Sequence, residues 1–124
     1  MVIDVEQKDD VCIVRVTGRF AAGEDPQYLF TKKDEIKRLN TGKLLVDFRE
    51  VPFIGSTALG FIVEIYSSIT RAGGRFVVAG LQPPVRKILD ATRLSTLIPL
   101  AADVTAGLAA LHEKGVAAKS GEEQ

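Results

Sequence analysis

The sequence holds no tryptophan, one cysteine, one methionine and one histidine in 124 residues. A lone Cys12 cannot close an internal disulfide, so no covalent staple is expected. One cysteine and one histidine, His112, also fall short of a usual metal site, and neither metal nor cofactor is expected. Charge of neither sign dominates. Lys plus Arg and Asp plus Glu each total 16, so the basic excess of a nucleic-acid binder is missing and no direct contact with nucleic acid is expected. No apolar run approaches the ~18 residues that span a bilayer. The start, Met1-Val2-Ile3-Asp4-Val5, lacks the basic region and long apolar core of a secretory leader. Membrane insertion is therefore not expected, and a reducing cytoplasm is the expected location.

Hydrophobic residues make up 46% and charged residues 26%, inside the globular range, and the length fits a single core. Residues 1–114 are expected to form that one domain. Residues 115–124 have a polar composition with nothing to pack and are expected to be a frayed tail.

Val2–Gln7 alternates apolar and acidic positions as a half-buried strand does. Lys8-Asp9-Asp10 supplies a turn, and Val11–Val16 is a second strand, so the two form an antiparallel hairpin. After the irregular Arg19–Glu24, Asp25-Pro26 reads as a helix start, with Asp25 as cap and Pro26 in the first helical position. That helix carries Leu29, Ile36 and Leu39 as a thin apolar stripe and stops at Asn40-Thr41-Gly42. Lys43–Phe48 is apolar at successive positions, the mark of a strand buried on both faces.

A second helix runs to about Ala72, with Ala58, Ile62, Ile65, Ile69 and Ala72 facing inward and Glu64, Ser67, Ser68 and Arg71 outward. Arg75–Gly80 is another interior strand. A helix opens at Pro83-Pro84, a short edge strand is expected at Leu97–Leu100, and Ala102–Glu113 forms the last helix. The order predicts an α/β fold: a mixed sheet opened by an antiparallel hairpin and covered by about four helices.

Between strand and helix lies Val51-Pro52-Phe53-Ile54-Gly55-Ser56-Thr57-Ala58-Leu59-Gly60. Ser56 or Thr57 is expected at the helix cap, beside free backbone amides and the positive end of the helix dipole. A serine there is most often only a cap, contributing about 1 kcal/mol. The flanks suggest more. Gly55 and Gly60 leave little cover around the hydroxyl, and a glycine inside a helix costs ~1 kcal/mol unless close approach or partner access requires it.

Chemistry of the enzymatic kind finds little support. Gly55-Ser56-Thr57-Ala58 does not make a Gly-x-Ser-x-Gly elbow, Thr41-Gly42-Lys43 lacks P-loop spacing, and His112 lies far along the chain on a polar face, where a solvated role is expected. Cys12 reads as core. Asp47, at the end of a buried strand, either orients Ser56 or caps amides of the following loop. The paired basic residues Lys32-Lys33, Lys37-Arg38 and Arg86-Lys87 read as solvated helix faces.

From the opening hairpin to the last helix, and most strongly from Leu45-Val46-Asp47-Phe48 through Phe53–Gly60, the chain resembles the STAS domain family, and within it the bacterial anti-sigma factor antagonists. The resemblance extends through Ala72–Gly80 and Pro84–Leu89. The family pattern reads roughly Phe-Ile-Asp-Ser-Ser/Thr-Gly-Leu-Gly, and its first serine falls on Ser56. Two positions depart: Gly55 stands where the pattern has an acid, and Ala58 where it has glycine.

The resemblance implies a non-enzymatic partner switch. The unphosphorylated protein would bind an anti-sigma factor that is also a serine kinase, and phosphorylation of Ser56 would release it. Thr57 is the competing acceptor, and Phe53, Gly55, Ser56, Thr57, Ala58 and Gly60 would form the partner-binding surface. A scaffold subunit of a stress-signalling assembly or lipid transporter, working without phosphorylation, is the alternative the family also offers. A weak homodimer stays open.

Overall fold

The computed structural model describes residues 1–21 and 23–113. The tail expected at 115–124 lies outside them. One five-stranded sheet, in the order β1-β2-β3-β4-β5, organises the chain. β1 (Val2–Lys8) and β2 (Val11–Thr17) form the antiparallel hairpin, turned at Asp9 with φ 56°. β3 (Lys43–Glu50), β4 (Arg75–Ala79) and β5 (Leu100–Ala101) each add in parallel.

Strand alternation sorts the helices. Cys12, Val14, Leu44, Val46, Phe48, Phe76 and Val78 point to one side and pack with Leu29 and Ile36 of α1 (Pro26–Leu39), Ile62 and Ile65 of α2 (Ser56–Arg71), and Val85 and Leu89 of α3 (Pro83–Ala91). Ile13, Leu45, Val77 and Ala79 point to the other side, against Leu111 of α4 (Val104–His112). A sheet covered on both faces explains why β3 reads as an unbroken apolar run. The fit under α4 is tight: a Cβ on Gly107 would lie 2.7 Å from Leu45 Cδ1.

Capping fixes the helix ends as expected for α1, where the Asp25 side chain accepts from the Gln27 amide at 3.0 Å with Pro26 in the first turn. Three expectations are corrected. The edge strand is Leu100–Ala101 rather than Leu97–Leu100, because Leu94–Thr96 winds into a 3-10 turn after Arg93 (φ 65°) and carries exposed Leu97 and buried Ile98 ahead of the sheet. The last helix starts at Val104, since the Asp103 carboxylate accepts from the Ala106 amide at 2.8 Å. Ala72 is not on the buried stripe of α2. It is the exposed C-cap, and Phe61 and Tyr66 join the stripe instead.

Candidate functional site

The β3–α2 turn is pinned from two directions. Val51 and Ile54 are buried, at 0% and 1% exposure, and anchor the turn in the core. Phe20, also buried, forms a parallel bridge to Ile54: its amide donates to Phe53 O at 3.0 Å, and Gly55 N donates back to Phe20 O at 2.8 Å. The Phe20 ring meets Phe61 of α2 edge-on, with centroids 5.4 Å apart. The segment read as irregular thus acts as a short extra strand holding the turn. Its one large aromatic, among Gly, Arg and Ala, was the available signal.

Ser56 is not the cap. The N-cap is Gly55, extended at φ −120° and ψ −168° with no side-chain cap bond, and Ser56 is the first helical residue. With Ile54 and Ala58 both directed into the core, Ser56 between them faces outward and is exposed, while Thr57 is half-buried. The hydroxyl therefore projects to solvent beside first-turn amides that have no intrahelical acceptor; the ladder begins with Leu59 N to Gly55 O at 3.1 Å. Gly55's extended backbone would accept any residue, so its bareness is a matter of surface rather than conformation.

Gly60 is more open still, exposed where Gly55 is half-buried. A Cβ there would meet nothing within 4 Å, so the fold itself makes no close approach that requires glycine. One turn further along α2, Glu64 pairs with Lys33 of α1 at 2.8 Å. One turn N-terminal of Lys33 stands Phe30, 63% exposed and the most exposed large hydrophobic among the described residues. Phe53 lies half-buried in the turn itself. The turn around Ser56 thus combines an outward hydroxyl, glycines at positions 55 and 60 and the half-buried Phe53 ring. Phe30 was missed in the sequence, although it falls outside the stripe of Leu29, Ile36 and Leu39 on this helix.

The remaining candidates fall elsewhere. Asp47 alternates with Phe48 and so faces the α4 side, away from Ser56. It accepts from the Arg49 amide at 3.1 Å, which still belongs to β3 rather than to the following loop, and also pairs with Arg49 Nη2 at 2.9 Å and Arg15 Nε at 3.5 Å. Burial opposes its ionisation, but the side-chain and backbone hydrogen bonds from Arg49 hold its carboxyl below the ordinary value.

His112 is not merely solvated: its Nε2 meets Asp10 Oδ1 at 2.8 Å and Nδ1 meets Leu108 O at 2.9 Å. This cluster sits with Lys43 at the opening of β3, and the strand then runs roughly 20 Å before the Ser56 turn. Ser56 has no histidine beside it. Cys12 is fully buried, and burial pushes its thiol up to about 11. No group of three or more metal-binding side chains occurs among the described residues, and none of the described helices is long and apolar enough to cross a membrane.

The chain is similar to the anti-sigma F factor antagonist of Paenibacillus polymyxa, with 26% identity over 98 residues, covering 79% of this chain and 84% of that one. Its fold matches the crystal structure of an anti-sigma factor antagonist from Mycobacterium paratuberculosis, with TM-score 0.79 at 24% identity, covering 90% of this chain and 94% of that one. It also matches the Bacillus cell fate determinant SpoIIAA in its phosphorylated form, with TM-score 0.63 at 16% identity, covering 85% and 96% of the respective chains. The STAS domain family model matches residues 2–107, nearly the whole described chain: the chain belongs to the STAS domain family.

Proposed function

We propose that this domain is a cytoplasmic anti-sigma factor antagonist that works by partner switching, with Ser56 as the switched residue. Unphosphorylated, it docks an anti-sigma factor over the β3–α2 turn and the outer face of α2, and the sigma factor is freed. The partner, acting as a serine kinase, transfers the γ-phosphoryl group of ATP to Ser56 Oγ; the hydroxyl proton is lost and ADP leaves. The phosphoform then lets go.

The observation that carries this reading is the outward Ser56 hydroxyl at the first position of α2, with no side chain on Gly55 or Gly60 to cover it. The likeness to the Paenibacillus polymyxa antagonist supports the choice of partner. Thr57, half-buried, is the weaker acceptor.

Physical chemistry gives the switch its direction. Phosphorylation adds about −1.5 to −2 charges and three acceptor oxygens. At a helix start these meet unpaired amides and the positive dipole end, so the domain tolerates them. A docked partner would have to strip water from a dianion, and each ~1.4 kcal/mol of that penalty costs about tenfold in affinity. The switch is an interface event that leaves the fold largely as it is.

Intact mass after incubation with ATP and a cognate anti-sigma kinase is expected to rise by one phosphate, and not to rise for Ser56→Ala. Binding to the anti-sigma factor is expected to survive Ser56→Ala and to weaken in Ser56→Asp and in the phosphoform. Equal affinity across all of these forms overturns the reading.

A further inference from the structure

Arg19 lies directly before the bridge that holds the Ser56 turn. Its guanidinium carbon sits 4.6 Å from the centroid of the Phe53 ring. The parallel pairing fixes its direction. Phe20 and Ile54 point into the core, so their neighbours Arg19, Phe53 and Gly55 are presented to the opposite, outer side. Gly55 N is hydrogen-bonded to Phe20 O, so the exposed Arg19 and the exposed Ser56 are each the chain neighbour of a residue that this bond joins.

Among the described residues Arg19 takes part in no ion pair. The carboxylate nearest along this pairing belongs to Glu50, whose backbone oxygen accepts from Gly18 N, yet it forms no ion pair with Arg19. At position 55 there is no side chain to compete.

We propose that Arg19 is the residue that holds the phosphate on Ser56: it rests on Phe53 in the unmodified protein and swings to the phosphate oxygens once Ser56 is phosphorylated. The inference rests on Ser56 being the acceptor. Its direction follows from relative strength, because an exposed cation–π contact is weaker than a two-point guanidinium–phosphate pair. The swing changes the docking surface twice over, fixing a charged pair at the rim and uncovering the Phe53 ring. A partner shaped to the arginine-covered ring then meets a different surface as well as a new charge.

The test installs phosphoserine at position 56 during translation, so that no kinase is needed, and follows the second ionisation of the phosphate by ³¹P NMR. The helix dipole acts equally in all variants, so a comparison among them isolates residue 19. The phosphate in the otherwise native chain is expected to ionise at a pH lower by about half a unit or more than in Arg19→Gln. Arg19→Lys, which keeps the charge and loses the fork, is expected to fall between them. Arg19 is exposed, so each variant should fold, and the amide spectrum of the unphosphorylated form verifies it. Indistinguishable titrations of native, Gln and Lys forms overturn the capture by Arg19 and leave the acceptor reading standing. A kinase that labels another residue overturns the acceptor reading, whatever the titration gives.

Discussion

Asp47 and Arg49, two residues apart on β3, form a closed contact: Asp47 Oδ2 lies 2.9 Å from Arg49 Nη2, and the carboxylate is only 2% exposed. The same carboxylate caps the Arg49 amide and reaches Arg15 on β2, so it ties two strands and the exit from the sheet together. Asp47→Ala would leave two guanidiniums facing each other without their shared acceptor. Breaking a fully buried pair costs about 3–5 kcal/mol. Here the arginine side chains are 42% and 54% exposed and can return to water, so about 2 kcal/mol is expected. Urea denaturation measures it, and an unchanged midpoint would show that the pair is ornamental.

The lowered pKa of Asp47 also fixes a pH dependence. A carboxyl held below its ordinary 3.8 contributes stability that is fully present above that value and is lost as pH falls through the lower folded value. Asp47→Asn is therefore expected to flatten the acid limb of the stability curve below about pH 4 relative to the native chain. Parallel acid limbs would exclude the carboxylate as their source.

A second pH window lies at the opposite end of the sheet. The hydrogen bond His112 donates to Asp10, then that to the Leu108 carbonyl, raises His112 above its ordinary 6.5, while the His112 and Lys43 contacts bring Asp10 down to about 2. The histidine's contribution is present below its unfolded value and disappears as pH rises through the raised folded one. Above that pH Lys43, 2.9 Å from Asp10, still holds the turn, so the loss should be partial. Thermal melts of native and His112→Gln chains are expected to differ more at pH 5.5 than at pH 8.5. A gap of equal size at both would remove the charged pair from the account.

Much of this architecture is legible because its signals are local. Alternation in Val2–Gln7, the Asp25-Pro26 start and the unbroken β3 run each specify their element without help from distant residues. The antiparallel hairpin and the placing of Ser56 just after a buried strand follow from them. What escaped depends on contacts between distant residues. Phe20 becomes a strand only because Phe53 and Gly55 offer it backbone partners. Arg19 acquires a position only through that pairing, and His112 meets Asp10 across 102 residues of sequence. The cap expected at Ser56 or Thr57 falls on Gly55 instead, because a hydroxyl residue before an apolar stripe is the ordinary cap signature, whereas here the inward Ile54 and Ala58 set the phase of the helix.

Cys12 offers a readout of the fold. The thiol is fully buried on β2, and burial pushes its pKa to about 11, so little thiolate forms near neutrality and none is accessible. Native protein at pH 8 is expected to resist a thiol-specific reagent, and reactivity should rise with urea along the unfolding curve seen by circular dichroism. Rapid labelling in native buffer would mean that β2 opens locally.

Gly60 and Gly107 make the sharpest paired prediction, because both are helical glycines and only one is packed. A Cβ at Gly107 lies 2.7 Å from Leu45 Cδ1 and 3.4 Å from Ala79 Cβ, whereas one at Gly60 meets nothing within 4 Å. Gly107→Val should overfill the space under α4 and destabilise by about 1–3 kcal/mol. Gly60→Ala should instead stabilise the domain by up to ~1 kcal/mol through helix propensity. If the outer face of α2 is the docking surface, that gain comes with weaker binding of the anti-sigma factor, since the added methyl stands where the partner approaches. Titration calorimetry alongside urea midpoints separates the two effects. A more stable Gly60→Ala chain that binds with native affinity would move the interface off this helix, and a less stable one would mean that the bare surface at Gly60 is maintained by the fold itself.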